Sequence, residues 1–297
     1  MLKVQMSMHN DRSPLNILLV ESGATKANWA LLSNNECVFK EKSPGLNPYF
    51  LTDQELTDQF ISVRKKLPKE IHHIYFYSTG CGAEDQKKRV ATLLDRVFQP
   101  VHSAYVNTDI IAAARSIGPH NTGLVGILGT GSNACFIKNG EIDSSAGGFG
   151  FILGDEGSGA ALGLLLLTGW LKNELPPDIQ LLVNSDLHLD KAEIFQAVYK
   201  NPFPSRYLAS LAPFFFKHKD LPWIKDRVKE QFDWFVKRYF LTLIDENQSV
   251  KVYLIGSVAY FFSAIMKEVL KEHHLELGDI VKDPMDGLIA FHTHHLG

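Results

Sequence analysis

Glycine, hydroxyl and carboxylate side chains gather at a few short places in this chain of 297 residues. Val20-Glu21-Ser22-Gly23-Ala24-Thr25-Lys26 and Leu128-Gly129-Thr130-Gly131-Ser132-Asn133 each set glycine beside hydroxyl side chains, with apolar runs on both sides. Such a turn lets backbone N–H groups approach phosphate oxygens closely. Glu21 stands at the first corner, where a carboxylate can hold a water on Mg²⁺ while Thr25, Lys26 and the backbone face the phosphates. Each turn alone is more often a plain hairpin than a site, the first needing Gly23 for its dihedrals. Two of them at matching strand ends point to a nucleotide held from both sides. Neither is the G-x-x-x-x-G-K-[ST] loop nor the G-x-G-x-x-G fingerprint.

Asp109 falls between a strand and a helix. There it is either an N-cap, worth about 1 kcal/mol, or a general base taking the proton of a sugar hydroxyl that attacks a γ-phosphate. Gly147 through Gly159 holds six glycines in thirteen residues and the adjacent acids Asp155 and Glu156. Asp155 can accept from neighbouring sugar hydroxyls; the alternative is a flexible loop whose acids cap a helix. Gly256-Ser257 after a strand would let a flat ring lie against backbone. His292, His294 and His295 lack a partner at metal-ligand spacing, which favours a solvated tail or a helix end packed on a lobe.

The elements that must position these residues alternate. Strands are expected at 16–20, 28–32 and 37–40, a helix at 54–67, a strand at 71–77, a helix at 84–98, a strand at 101–106, and a helix at 109–117 closing the first half. The second half repeats the opening, with strands at 124–128 and 134–138, a further short strand after Asn139-Gly140, and a glycine-rich loop over 143–157. Helices at 158–173, 191–199, 205–217 and 222–244, a strand at 251–255 and a helix at 259–273 follow. The pattern is a duplicated βββαβαβα unit, an α/β chain of two similar lobes. The expected division is a flexible start at 1–14, a first lobe at 15–118, and a second lobe at 119–284 with a helical insertion at 174–248.

The chain is 45% hydrophobic and 21% charged with a net charge of −3, which gives no basic footprint for nucleic acid or an anionic membrane. Cys37, Cys81 and Cys135 are too scattered for a disulfide framework or a zinc site, which fits a reducing cytoplasm. The first 14 residues lack the apolar region of a signal peptide, and the apolar stretch 160–171 is too short to span a bilayer.

Taken together, the motifs resemble those of the sugar kinase, heat-shock ATPase and actin superfamily, and within it the N-acetylglucosamine kinase branch grouped with BadF/BadG-type ATPases. They are Glu21 through Lys26 with Trp29, Gly45-Leu46-Asn47-Pro48, Asn107-Thr108-Asp109, Gly129 through Asn133, Gly147 through Ser158, and Ile255-Gly256-Ser257-Val258. The resemblance runs from Asn16 to His292. It implies two ribonuclease-H-like lobes with ATP and Mg²⁺ in the cleft between them. It implies that Ser22, Gly23, Thr25 and Lys26 form one phosphate loop, that Gly129, Thr130, Gly131, Ser132 and Asn133 form the other, and that Gly256 and Ser257 hold adenosine. Asp109 takes the place of the base, Glu21 that of the metal-linked acid, and Asn47, Gly80, Cys81, Gly148 and Asp155, with Asp109 itself, those of the sugar contacts. The helix at 285–297 would cross back onto the first lobe, and a homodimer through the second lobe is a further implication. The family usually has aspartate at position 21; glutamate is one methylene longer.

The expected activity is phosphorylation of N-acetylglucosamine or a related amino sugar at its 6-hydroxyl. Two alternatives come from other classes. One is an ATPase that activates a partner enzyme, which the absence of a close cysteine pair disfavours. The other is a sugar- or nucleotide-binding sensor without catalysis.

Overall fold

In the computed structural model, residues 15–68, 70–245 and 250–295 are described; the expected flexible start at 1–14 lies outside them. Two five-stranded mixed sheets form the frame. The first is built from β1 (Asn16–Ser22), β2 (Lys26–Ser33), β3 (Glu36–Pro44), β4 (His73–Ser78) and β5 (Tyr105–Asn107), in the order β3-β2-β1-β4-β5. The second uses β6 (Gly123–Leu128), β7 (Ser132–Lys138), β8 (Glu141–Gly147), β9 (Lys251–Ile255) and β10 (Glu276–Val281), in the order β8-β7-β6-β9-β10. In both, the first three strands are antiparallel and the fourth and fifth join parallel to the first. The two sheets are therefore copies of one pattern, and the two-lobed α/β class follows.

The helices between strands differ more. In the first lobe α1 (Asp53–Arg64) and α2 (Glu84–Phe98) cover one face, burying Phe60, Val90 and Leu94 against Trp29 and Phe76. A capping box starts α1: Glu55 N–H donates to Thr52, and Thr52 N–H donates to Glu55. In the second lobe the corresponding place is filled by six helices. They are α4 (Gly159–Lys172), α5 (Pro177–Leu187), α6 (Lys191–Tyr199), α7 (Pro204–Ala209), α8 (Ala212–Lys217) and α9 (Pro222–Phe235). After α9 comes a π-helical turn, Val236–Phe240, where one continuous helix was expected to 244. The expected helix at 205–217 is likewise two, and that at 259–273 divides into α10 (Ser257–Phe261) and α11 (Ser263–Glu272). The expected strand at 101–106 pairs with β4 only over Tyr105–Asn107. α5 falls within the helical insertion expected at 174–248 without a separate expectation, and no strand was expected where β10 runs.

Two helices cross between the lobes. α3 (Asp109–Ser116) sets Ile110, Ala113 and Ala114 against Val125, Cys135 and Ile137 of the second sheet. The helix expected to close the first half thus also packs on the second. In exchange, α12 (Met285–His295) places Met285 among Ile17, Leu19 and Leu32 of the first sheet. α3 and α12 pack on each other, and the buried Tyr77 hydroxyl bonds to Arg115 of α3 and to His292 of α12. His292 is thus part of a helix end packed on a lobe.

Candidate active site

The parallel strands β1, β4, β6 and β9 end in short turns at one edge of each sheet, which is where α/β sheets place ligands. The first turn follows β1 and the second follows β6. They meet across the cleft, with the Thr25 and Thr130 hydroxyl oxygens 2.8 Å apart.

In the first turn, Gly23 N–H donates to the Lys26 carbonyl at 3.0 Å. Gly23 does not occupy the left-handed region, so the expectation that its dihedrals require glycine is corrected. The tight position is Gly45, where a Cβ would stand 2.5 Å from the Gly23 carbonyl oxygen. The Ser22 hydroxyl is buried, accepting Leu46 N–H at 2.8 Å and donating to the Gly23 carbonyl, so it ties the 45–48 loop to the turn. Thr25 and Lys26 are exposed.

Glu21 lies in register with Asn28 of β2. Asn28 Nδ2 donates to Glu21 Oε2 at 2.9 Å and to Asp283 Oδ2 at 3.0 Å, and Lys26 Nζ pairs with Asp283 at 3.1 Å. Burial pushes the Glu21 carboxyl up to about 7, opposed by the Asn28 hydrogen bond and reinforced by the charges of Asp283 and Asp109. Asp283 was not singled out from the sequence, since it stands far along the chain in a short polar link. Asn28 left a usable sign: a buried amide in an otherwise apolar strand, opposite an acid.

Asp109 is the first residue of α3; Thr108 holds the N-cap position, which corrects the capping alternative for Asp109. Burial pushes Asp109 up to about 6; the backbone N–H groups of Ile110 and Asp109 oppose this, and the charge of Asp155 adds to it.

In the second turn, Gly129 N–H donates to the Gly131 carbonyl at 3.0 Å. Ser132 N–H donates to Asp155 Oδ1 at 3.1 Å, and a Cβ at Gly131 would lie 2.7 Å from Asp155 Oδ2. The acidic loop and the turn are therefore one unit. Asp155 holds φ 63° and is pushed by burial up to about 6, against the Ser132 bond and with the charge of Glu156. Ser132 Oγ is buried with no partner among the described residues. Gly148 lies over Asn133, whose Oδ1 accepts Ala134 N–H at 2.9 Å.

Asn47 and Gly80 come together: a Cβ at Gly80 would stand 2.2 Å from Asn47 Oδ1. Cys81 is fully buried in the first-lobe core, and burial, with the charge of Asp109, pushes its thiol up to about 12. Its side chain belongs to the core, so it can offer a ligand only its backbone. Gly256, at φ 119°, sits against the end of β6, where a Cβ would be 2.3 Å from the Leu128 carbonyl oxygen; Ser257 is exposed. A cavity of about 460 Å³ lies between α4 and α9, lined by Leu165, Thr168, Trp223 and Arg227, and it borders the acidic loop at Gly154 and Glu156.

The crystal structure of a candidate N-acetylglucosamine kinase from Porphyromonas gingivalis matches this fold with a TM-score of 0.84 and 31% identity, over 95% of this chain and 100% of that one. The chain belongs to the N-acetylglucosamine kinase and BadF/BadG-type ATPase branch of the sugar kinase, heat-shock ATPase and actin superfamily. Two more distant solved structures share the fold. A candidate N-acetylglucosamine kinase from Chromobacterium violaceum is 16% identical over 94% of this chain and 99% of that one, with a TM-score of 0.71. A ROK family glucokinase from Streptomyces griseus, solved with glucose and AMPPNP, is 12% identical over 92% and 97%, with a TM-score of 0.56. No protein-family model and no curated protein matches the chain.

The donors at the turns fit what the family binds. A buried, unpartnered hydroxyl at Ser132 and the facing Thr25 and Thr130 hydroxyls suit phosphate oxygens. Glu21 and Asp283 share one amide and are hard oxygen donors of the kind Mg²⁺ takes. Among the described residues no group of three or more His, Cys, Asp or Glu could hold a metal by itself.

Proposed function

We propose that this protein transfers the γ-phosphoryl group of ATP to the 6-hydroxyl of N-acetylglucosamine or a related amino sugar. The observation that carries the reading is the 2.8 Å approach of Thr25 to Thr130, which sets the two turns face to face at the strand ends. Backbone N–H groups of 24–25 and 130–131, with Lys26 and the Ser132 hydroxyl, then surround the phosphates. Mg²⁺, held beside Glu21 through water, would offset phosphate charge when bound.

Asp109 is the base. A carboxyl pushed up to about 6 is ionised at neutral pH and still basic enough to take the hydroxyl proton as the bond to phosphorus forms. Asp155 and Asn47 orient the sugar, one from each lobe. Asp155 can do so because Ser132 N–H and the Gly131 approach fix its carboxylate. Meeting of the lobes excludes water that would otherwise take the phosphoryl group.

The test is ADP release from purified protein with ATP, Mg²⁺ and a panel of hexoses and amino sugars, with ³¹P NMR of the product. Release that depends on an amino sugar, with a 6-phosphate product, is expected. Release without any sugar dependence overturns the reading in favour of an ATPase. Sugar binding by calorimetry without phosphoryl transfer overturns it in favour of a sensor.

A further inference from the structure

Arg206 belongs to no motif and stands on the second lobe, yet its guanidinium ends on the first. Nε donates to the Ala24 carbonyl of the first turn, and Nη2 donates to the Gly45 carbonyl at 3.2 Å. The guanidinium also lies 3.8 Å from the centroid of the Phe203 ring, and Phe203 meets Phe50 of the first lobe edge-on at 5.5 Å. Phe203 holds φ 62° directly before Pro204, a conformation bulky residues rarely adopt. Among the described residues no carboxylate pairs with Arg206. A flat fork of donors suits two backbone carbonyls in a way that an ammonium does not.

The mounting of Arg206 is rigid. α7, which carries it, packs on α4 at close range: a Cβ at Gly163 would stand 1.9 Å from the Leu208 carbonyl oxygen. α4 in turn starts on the second turn, with Gly159 N–H donating to the Gly129 carbonyl at 2.8 Å and Ala160 N–H to the Thr130 carbonyl at 3.0 Å. The receiving side is equally fixed. Gly45 N–H donates to the Thr25 carbonyl at 3.0 Å and Leu46 N–H to Ser22 Oγ at 2.8 Å, so the first turn and the loop carrying Asn47 form one body. A continuous path therefore runs from the second turn through α4 and α7 to Arg206, and from there to both first-lobe loops.

We propose that Arg206 is a positioning residue that sets the spacing of the two turns and holds the Asn47 loop opposite Asp155. It touches no reacting atom. The helical insertion is the arm that carries it across the cleft. What the cleft binds rests on the phosphotransfer reading; the clasp itself does not.

The experiment uses the full chain with Arg206→Ala, Arg206→Lys and Phe203→Leu. Amide hydrogen exchange is read first, without ligands, on peptides covering 22–28 and 43–51. Arg206→Ala is expected to speed exchange in both by about tenfold while β4 and α11 keep theirs, with Arg206→Lys in between. Sugar kinetics are read second. Loss of the clasp is expected to lower kcat/KM by roughly 10–100-fold, mainly through the sugar KM, with partial recovery in Arg206→Lys. Unchanged exchange in the two peptides overturns the proposal. So does faster exchange throughout the chain, which marks a merely structural role, and so do unchanged kinetics beside faster local exchange. Should Arg206→Ala fail to fold, the other two variants carry the same readouts. If the wild-type protein shows no sugar-dependent ADP release, the kinase reading falls, and exchange in the two peptides still decides the clasp.

Discussion

Glu21, Asp109 and Asp155 are all pushed up by burial, to about 7, about 6 and about 6, and each has its own hydrogen-bond partner pulling the other way. For Asp109 the consequence is kinetic. Asp109→Asn is expected to lower kcat by about 10²–10⁴ with sugar binding retained. The wild-type rate should rise with pH through about 6 and then level, and the variant should lose that inflection. For Glu21 the consequence is also thermodynamic. Its folded pKa lies above the unfolded value, so between about 4.5 and 7 the folded state binds more protons, and stability falls as pH rises through that window. Glu21→Gln removes the term. It should raise the unfolding midpoint at pH 8, by the equivalent of about 1–3 kcal/mol after allowance for partial exposure, and leave it unchanged at pH 4. Thermal melts at the two pH values check the sign, and an equal gain at both would contradict it. At this scale the sequence was informative wherever chemistry is local. Asp109, Asp155 and both turns could be picked out because glycine, hydroxyl and acid side chains cluster there; Asn47 came only from the family resemblance. Arg206 and Asp283 could not, because what they touch lies on the opposite lobe.

The π-helical turn at Val236–Phe240 shows how an element serves the acidic loop. An extra residue in the turn aims Tyr239 at the loop, where its hydroxyl accepts Asp155 N–H at 3.2 Å and donates to Glu156, which Arg238 also holds. Such turns recur at functional sites. Gly154 clears the space, since a Cβ there would lie 2.8 Å from the Tyr239 hydroxyl. Tyr239→Phe is expected to destabilise by about 1–2 kcal/mol by stranding the Asp155 N–H, and to weaken sugar binding in calorimetry because Asp155 loses its support. Periodicity could not find this turn: Ile224, Val228, Phe232 and Phe235 continue smoothly into Val236, Tyr239 and Phe240. Other elements escaped for related reasons. β10 is an edge strand with little burial and a glycine in its middle, so neither alternation nor an apolar run marks it. α5 lies inside the expected helical insertion but had no bounds of its own; Pro176 and Pro177 stand at its start, the second as an ordinary first-turn residue. The helix expected at 205–217 breaks before Pro213, the residue that cannot continue it. The strands flanking both turns were legible because each is buried on both faces.

At the scale of the molecule, the duplicated sheets are joined by exchanged helices, α3 packing on the second sheet and α12 on the first. The duplication was legible in the order of strands and turns, and the return of α12 to the first lobe was implied by the family resemblance; the packing of α3 on the second sheet was not legible, because its Ile and Ala face does not say which sheet it meets. The crossing point is Gly287, where a Cβ would stand 2.1 Å from the Ser116 carbonyl oxygen. Gly287→Ala therefore sets two effects against each other. Inside a helix the change gains up to about 1 kcal/mol in propensity. Against that, a methyl group meets backbone rather than a flexible side chain, so the helices must separate, at a cost of about 1–3 kcal/mol. Overpacking should win, and the unfolding midpoint should fall. α3 begins with Asp109 and α12 follows Asp283, so their separation also moves the proposed base and the partner of Lys26. A fall in sugar-dependent ADP release larger than the stability loss explains is expected, with Leu288→Ala as the comparison. Leu288 is buried beside Tyr77 and Ala112, and its truncation leaves a cavity, costing about 2–5 kcal/mol, without pushing the helices apart. A Gly287→Ala protein that melts higher than wild type and keeps full activity would show that the crossing adjusts freely and that the exchanged helices do not set the geometry of the cleft.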